Sequence, residues 1–192
     1  MISTLEEVRT LKRMVADTKA QLKRDGVAFA EKVPLGIMLE VPAAALSIHS
    51  LLPEVDYISI GSNDLIQYVM AADRDNPKVA HLCEPFSPPL FRLLRYVLKA
   101  CDRHGKPATL CGEMAGRPRC FLPLLGMGLR RFSMSPAFVP TIKELARSTC
   151  LNVAHEVAAR VVRLRTFKKV RGYLTATTRQ VCPNVTFLDT KK

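Results

Sequence analysis

Residues 57–64, YISIGSND, hold the pattern on which the fold prediction rests. A short apolar run leads into a glycine and then into a group of polar residues. Similar runs recur in VPLGIMLE at residues 33–40, PATLCGE at 107–113 and RFSMS at 131–135. Segments with apolar residues at helical spacing lie between them. Alternating strands and helices predict parallel βα units, which bring polar side chains together at the carboxyl ends of the strands.

The pattern predicts four strands, over residues 34–40, 56–60, 107–111 and 130–134. A long amphipathic helix is expected over residues 4–25, starting with a capping box of Ser3 and Glu6. Further helices are predicted over 43–52, 65–72, 88–104, 118–127 and 140–148. The fold class is therefore α/β. The four strands form either half of a closed (βα)8 barrel or a complete open sheet. Either arrangement leaves two unpaired sheet edges, which favour self-association.

Composition excludes several classes of protein. A chain of 192 residues with 48% hydrophobic content can bury the core of a folded domain, unlike a disordered chain. No apolar stretch approaches the roughly 20 residues of a membrane span. The first residues lack the basic and apolar regions of a secretion signal. The six cysteines form no C-x-x-C pair, so we expect reduced thiols and no zinc ribbon. We therefore expect a cytoplasmic protein that does not bind a membrane.

Positive charge is concentrated in the C-terminal part of the chain. Residues 151–192 carry nine Lys and Arg against two acidic residues, within a total net charge of +12. We expect residues 151–165 to be helical and 172–192 irregular, so the predicted domains are a barrel part at 1–150 and a basic extension at 151–192. An acidic partner such as nucleic acid is one interpretation. A solvated helix face is favoured, because no nucleic-acid-binding signature accompanies the charge.

Two carboxylates follow neighbouring predicted strands. Glu40 ends the first apolar run and Asp64 follows the second. Carboxylate oxygens at adjacent strand ends suit Mg²⁺, whose remaining positions are filled by water and a substrate phosphate. Two structural alternatives carry equal weight. Asn63 or Asp64 can cap the next helix, and Glu40 can form a buried ion pair with Arg74.

An arginine and a cysteine extend this set. Arg74 lies in a polar loop, where a guanidinium can bind a phosphate at two points or pair with a neighbouring aspartate. Cys111 follows an apolar strand and precedes Gly112, which permits a tight turn. Its thiol can act as a nucleophile or proton donor, or fill the core.

Five motifs occur in a fixed order along the chain. They are GIMLEVPAA at residues 36–44, IGSNDLIQY at 60–68, ADR at 72–74, LCGEMAG at 110–116 and FSMS at 132–135. Together they closely resemble the C-terminal domain of the phosphoenolpyruvate–protein phosphotransferases, the enzyme I of the sugar phosphotransferase system and its nitrogen-related paralogue. The resemblance covers about residues 1–150. It implies the C-terminal half of a (βα)8 barrel that binds phosphoenolpyruvate and Mg²⁺.

The resemblance also implies roles for individual residues. Glu40 and Asp64 would ligate Mg²⁺, and Asn63 and Asp64 would contact phosphoenolpyruvate. Arg74 would hold the phosphate. Cys111 would protonate the enolpyruvate carbon and so complete pyruvate.

The implied reaction transfers a phosphoryl group to a histidine of an HPr-like phosphocarrier protein, with the enzyme acting as a homodimer. The family's Gly-Gly-x-x-Ser-His motif and the first half of its barrel do not occur in this sequence. We therefore expect the C-terminal portion of such an enzyme, inactive alone. The alternatives are a non-catalytic module that dimerises or binds an acidic partner, and a pyruvate phosphate dikinase or phosphoenolpyruvate synthase, which share the Asn-Asp and Cys-Gly motifs.

Overall fold

A four-stranded parallel sheet forms the centre of the structure, a computed structural model that describes residues 1–185. The strands are β1 (Gly36–Leu39), β2 (Tyr57–Gly61), β3 (Ala108–Cys111) and β4 (Arg131–Ser133), in the order β1-β2-β3-β4. In the register of the sheet, Gly61 pairs with Cys111, and Cys111 pairs with Ser133. The carboxyl ends of the strands therefore meet at one edge.

Helices connect and follow the strands. The α-helices of the described residues are α1 (Leu5–Arg24), α2 (Pro42–Leu46), α3 (Ile48–Leu51), α4 (Ser62–Met70), α5 (Pro88–Arg103), α6 (Pro118–Gly126), α7 (Val139–Arg147), α8 (Leu151–Val161) and α9 (Phe167–Val181). Short 3-10 helices span Leu52–Glu54, Ala80–Leu82, Glu113–Gly116 and Pro136–Phe138. The predicted α/β class with four βα units is confirmed. In residues 1–185, no helix is both long enough and apolar enough to cross a membrane.

The two faces of the sheet differ in burial. Alternate residues of the strands belong to the core, namely Ile37, Leu39, Ile58, Ile60 and Leu110. The residues between them remain partly exposed, including Met38, Ser59, Thr109 and Cys111. Because successive strand residues point to opposite faces, one face packs under the helices and the other carries the more accessible side chains. The accessible face corresponds to the interior of a barrel.

Helix α1 starts one residue later than the sequence predicts. The capping box uses Thr4 and Glu7, so the predicted pair of Ser3 and Glu6 is wrong. Glu7 Oε2 accepts hydrogen bonds from the backbone N–H groups of Ser3, at 2.6 Å, and Thr4, at 2.9 Å. These backbone bonds lower the pKa of Glu7. The sequence fits the capping template in both registers, and the observed one places Val8 in the core.

The C-terminal part is more helical than predicted. Residues 172–181 belong to α9, so the prediction of irregular structure there is wrong, and residues 186–192 lie outside the described part of the chain. Thr166 caps α9, and Val170, Leu174 and Thr178 recur every four residues as its buried stripe. A threonine in an apolar stripe and the β-branched residues around it weaken the helical signal in the sequence. Tertiary packing decides the outcome.

Helix α8 packs closely on α6. A Cβ placed on Gly126 of α6 would lie 1.9 Å from the carbonyl oxygen of Ala154 in α8. Only glycine permits this approach. The segment after residue 150 therefore packs on α6, the helix that follows β3. The domain boundary at residue 150 stays a prediction.

Candidate functional site

The carboxylate of Glu40 lies against the end of β2. Glu40 directly follows β1 and is half-buried. A Cβ placed on Gly61 would come within 2.9 Å of Glu40 Oε2 and 3.2 Å of Met38 Sδ. Glycine at position 61 thus leaves room for a carboxylate at the carboxyl edge of the sheet.

Asn63 and Asp64 lie in the first turn of α4. The helix begins at Ser62, with Gly61 as its N-cap, so the interpretation of Asn63 or Asp64 as the cap is wrong. The side-chain oxygen of Asn63 instead accepts a hydrogen bond from the backbone N–H of Glu113, at 3.1 Å. This bond ties the start of α4 to the loop after β3.

Arg74 returns to the start of α4 from the loop that follows this helix. Ala71 takes a left-handed conformation with φ of 49°, which turns the chain after the helix. The backbone N–H of Arg74 donates to Gln67 Oε1 at 3.3 Å. The guanidinium lies 3.3 Å from Asp64 Oδ1, with about half of the Arg74 side chain exposed. In residues 1–185, Arg74 is thus paired with Asp64 and not with Glu40.

The thiol of Cys111 lies on the accessible face of the sheet. Cys111 Sγ is 3.4 Å from the carbonyl oxygen of Ile60, which it can donate to, and 3.8 Å from both Met38 Sδ and Ser59 Oγ. Cys111 is a free, partly exposed cysteine. It is therefore not a core thiol, and its sulfur contacts residues of β2 and β1.

A glycine allows β3 to meet α4 closely. Gly112 has φ of 101° and ψ of −172°, a conformation that is open essentially only to glycine. A Cβ at this position would lie 2.5 Å from Ser62 Oγ and 2.9 Å from Asn63 Oδ1. The Ser62 hydroxyl donates to the carbonyl oxygen of Cys111 at 2.7 Å. The close contact therefore sets the positions of Cys111 and Asn63 together.

A cavity of about 490 Å³ opens beside these residues. Asn63, Arg74, Asp75 and Glu113 line it, together with Arg117, whose guanidinium is 3.2 Å from Glu113. Glu40, Asp64 and Cys111 are not among its lining residues. The volume lies within the range of small-molecule sites. Each guanidinium is paired with a carboxylate, Arg74 with Asp64 and Arg117 with Glu113, so an anionic ligand would share these arginines with the carboxylates.

Sequence reasoning missed several of the surrounding residues. Arg117 has a local signal, because it stands four residues after Glu113, at the spacing of a helical ion pair. Ser59 and Met38 have only the alternation of their strands as a signal. Cys83 comes from a loop whose position the sequence does not indicate.

The donor groups present fit a magnesium ion. Mg²⁺ binds through one or two carboxylates and keeps several water or phosphate ligands. Glu40 supplies a carboxylate beside Gly61, and Asp64 supplies one from the first turn of α4, where it pairs with Arg74. The part of the chain that the structure describes contains no group of three or more His, Cys, Asp or Glu residues able to hold a metal. Two carboxylates alone would leave most of the coordination shell of such an ion to water or a ligand.

Comparison with known proteins identifies the family. Residues 1–151 match the family of phosphoenolpyruvate-utilising enzymes, in the phosphoenolpyruvate-binding domain. The chain belongs to this family. The predicted resemblance is confirmed by members named phosphoenolpyruvate-protein phosphotransferase. The protein of that name from Buchnera aphidicola subsp. Schizaphis graminum is 44% identical over 174 residues, which are 91% of this chain and 30% of the relative.

Further relatives and a solved structure agree with this assignment. The phosphoenolpyruvate-protein phosphotransferase of Geobacillus stearothermophilus is 45% identical over 161 residues, 84% of this chain and 27% of the relative. The 192-residue chain thus spans about 30% of the length of the curated relatives that it matches. The crystal structure of a citrate lyase from Burkholderia xenovorans LB400 has a TM-score of 0.51 at 19% identity, covering 94% of this chain and 61% of the lyase. That similarity is one of fold, a barrel of the TIM type.

Proposed function

We propose that this chain is the phosphoenolpyruvate-binding portion of a phosphoenolpyruvate–protein phosphotransferase. The whole enzyme would transfer a phosphoryl group to a histidine of a phosphocarrier protein, and the portion alone would be inactive. Three observations in a chain of this family support the proposal: Glu40 lies beside Gly61, Cys111 pairs with Gly61 in the sheet, and Arg74 pairs with Asp64 in the helix that starts there.

Arg74 and Asn63 would hold the phosphate. One guanidinium nitrogen of Arg74 faces Asp64, and an arginine has further N–H groups to offer. The oxygen of the Asn63 side chain already accepts from Glu113, so its NH₂ group is the part that can donate to a ligand. Positive charge and N–H donors stabilise the negative charge of a transferring phosphoryl group.

Glu40 and Asp64 would hold Mg²⁺. When bound, the ion would neutralise charge on the phosphoryl oxygens. Asp64 already pairs with Arg74, so the same carboxylate would serve both positive groups. A thermal-shift titration of the chain with Mg²⁺ tests this role without measuring turnover. Stabilisation by Mg²⁺ that is lost in both Glu40→Gln and Asp64→Asn supports the role, and unchanged stabilisation contradicts it.

Cys111 would supply the proton that completes pyruvate. Cleavage of the bond between phosphorus and the enol oxygen leaves the enolate of pyruvate, and the phosphoryl group passes to the histidine. The methylene carbon of the enolate then takes the proton of the thiol, which regains one from water. The partly exposed Cys111 sulfur, close to Ile60, Met38 and Ser59, lies on the face where a ligand can reach it.

Replacement of two cysteines tests the proton donor. In the full-length enzyme, Cys111→Ala should retain phosphoenolpyruvate binding by calorimetry and lower pyruvate formation by about 10²- to 10⁴-fold. Cys150→Ala is the matched control, because Cys150 is a free, exposed cysteine that precedes α8. Normal pyruvate formation by Cys111→Ala would refute the role.

We also propose a cytoplasmic homodimer. Within residues 1–185, β1 and β4 each pair with one neighbouring strand, which leaves an open edge on each side of the sheet. All six cysteines are free, as in a reducing compartment. Sedimentation velocity on this chain, whose sheet edges are open, should give the mass of a dimer, and a monomer at micromolar concentration would contradict the proposal.

A further inference from the structure

A short segment separates the candidate site from helix α9. Residues 80–86, the cavity-wall segment, contribute Ala80, Cys83 and Pro85 to the lining of the site cavity. From the same segment, His81, Leu82 and Glu84 line a second cleft of about 730 Å³, whose other wall is α9. The segment is therefore in contact with the site on one side and with the C-terminal helix on the other.

Arg171 of α9 holds this segment by two contacts. Its guanidinium forms an ion pair with the Glu84 carboxylate. The same guanidinium lies 5.5 Å from the ring centroid of Phe86, within the range of a cation–π contact. Phe86 itself is buried. One side chain of α9 thus contacts both the charged residue and the aromatic residue of the segment.

A second guanidinium supports the same ring. Arg119, near the start of α6, is 7% exposed and lies 4.5 Å from the centroid of Phe86. Its Nη1 donates to Thr175 Oγ1 of α9 at 3.0 Å. Burial lowers the pKa of Arg119. Helices α6 and α9 are therefore linked to each other and to Phe86.

The segment is also bonded to the turn that carries Arg74. Cys83 Sγ donates to the carbonyl oxygen of Ala72 at 3.1 Å. Ala72 is buried and lies two residues before Arg74. Helix α9 therefore contacts the segment at Glu84 and Phe86, and the segment in turn contacts the loop of Arg74 through Cys83.

We propose that α9 positions the cavity-wall segment, and through it the phosphate-binding side of the site, with Arg171 as the positioning residue. The effect on the ligand rests on the proposed function, whereas the effect on the segment does not. Helix α9 lies beyond residues 1–151, the part of the chain that matches the family. A helix outside the shared domain thus sets the position of a wall of its cavity.

Arg171 can be replaced without removing α9 from the fold. The helix is anchored by its own buried residues Val170 and Leu174, both fully buried, whereas about half of the Arg171 side chain is exposed. Loss of Arg171 should therefore release the segment and leave the melting temperature close to that of the unaltered protein. Arg179→Ala is the matched control, because Arg179 lines the same cleft from the same helix and carries the same charge.

Hydrogen exchange measured by mass spectrometry tests the positioning directly. In Arg171→Ala, exchange of the backbone amides of residues 80–84 and 86 should rise about five- to tenfold, the range for losing an ion pair and a cation–π contact together. Exchange within α9 should stay unchanged, and Arg179→Ala should leave the segment protected. The single charge reversals Glu84→Arg and Arg171→Glu should each raise exchange, and the double reversal should restore the part of the protection that comes from the ion pair. Unchanged exchange in Arg171→Ala, or an equal rise in Arg179→Ala, would overturn the positioning role.

Calorimetry with phosphoenolpyruvate separates this inference from the proposed function. The unaltered full-length protein should bind, and Arg171→Ala should bind about five- to tenfold more weakly with the same stoichiometry. Equal binding by both proteins would overturn the influence of α9 on the site and leave the proposed function standing. Failure of the unaltered protein to bind would overturn the proposed function, and the exchange experiment would still decide the positioning role.

Discussion

Replacement of Gly112 by alanine should disturb both the stability of the protein and the geometry of the site. Gly112 has φ of 101°, and its missing Cβ would lie 2.5 Å from Ser62 Oγ and 2.9 Å from Asn63 Oδ1. An alanine at this position would therefore strain the backbone and also crowd the side chains of Ser62 and Asn63. The hydroxyl that it displaces is the one that donates to the carbonyl of Cys111.

The magnitude follows from these separate contributions. Backbone strain of this kind costs about 1–3 kcal/mol. Loss of the hydrogen bond from Ser62 adds about 1 kcal/mol, and the shift of the crowded neighbours adds about 1–3 kcal/mol. We therefore expect the free energy of unfolding to fall by about 3–7 kcal/mol in Gly112→Ala, measured by urea denaturation.

Gly128→Ala separates strain from crowding. Gly128 has the same φ of 101°, but no atom lies within 4 Å of the position of its missing Cβ. This variant should lose only the strain contribution, about 1–3 kcal/mol. It should also keep its affinity for phosphoenolpyruvate, whereas Gly112→Ala should bind more weakly because Asn63 moves. Equal loss of stability in the two variants would refute the role assigned to the contact between β3 and α4.

Three further predictions concern the rest of the fold. Burial raises the pKa of Cys101 to about 11 and that of Cys120 to about 12, above the usual 9.0. Because the unfolded thiols ionise near pH 9 and the buried ones do not, this contribution to stability is complete below pH 9 and is lost as the pH rises further. Urea titrations at pH 8, 9 and 10 should therefore show the free energy of unfolding falling above pH 9. The fall should reach about 1.4 kcal/mol per pH unit for Cys120. Thr4→Ala should lower the free energy of unfolding by about 1 kcal/mol in urea denaturation, because Thr4 is the N-cap of α1. Ser3→Ala should have little effect, and a larger loss in Ser3→Ala than in Thr4→Ala would contradict this cap assignment. Leu174→Ala should cost about 2–5 kcal/mol in the same measurement if α9 belongs to the core, and a loss below 1 kcal/mol would show that it does not.

The strands could be predicted because polar residues end each apolar run. Their exact limits depend on neighbours that the sequence does not reveal. The first strand is predicted from residue 34, yet β1 begins at Gly36, because proline has no N–H group and the N–H of Leu35 donates to Asp56 at 2.7 Å. Similarly, α4 begins at Ser62 and not at Leu65, since the Ser62 hydroxyl bonds across the sheet to the carbonyl of Cys111. Both differences come from contacts between distant segments.

The candidate site could be predicted where its residues come directly from strand ends. Glu40 and Asp64 fall into this group, and so does Cys111. Arg74 could be named from its motif, but its pairing with Asp64 depends on the left-handed turn at Ala71. The cavity-wall segment has no strand or long helix that fixes it, so its place beside the site emerges only from its contacts with α6 and α9.

The register of the sheet also orders events during folding. Ile58 pairs with Ala108, so β2 and β3 can join only after the chain has enclosed the whole of α4 and α5 between them. Closing a long loop costs conformational entropy before any strand contact repays it, and contacts between distant residues slow the search. The pairing of Gly61 with Cys111 belongs to this same late closure. We therefore expect the pairing of β2 with β3, and with it the placement of Cys111 beside Gly61, to form later than contacts between residues that are close in the chain.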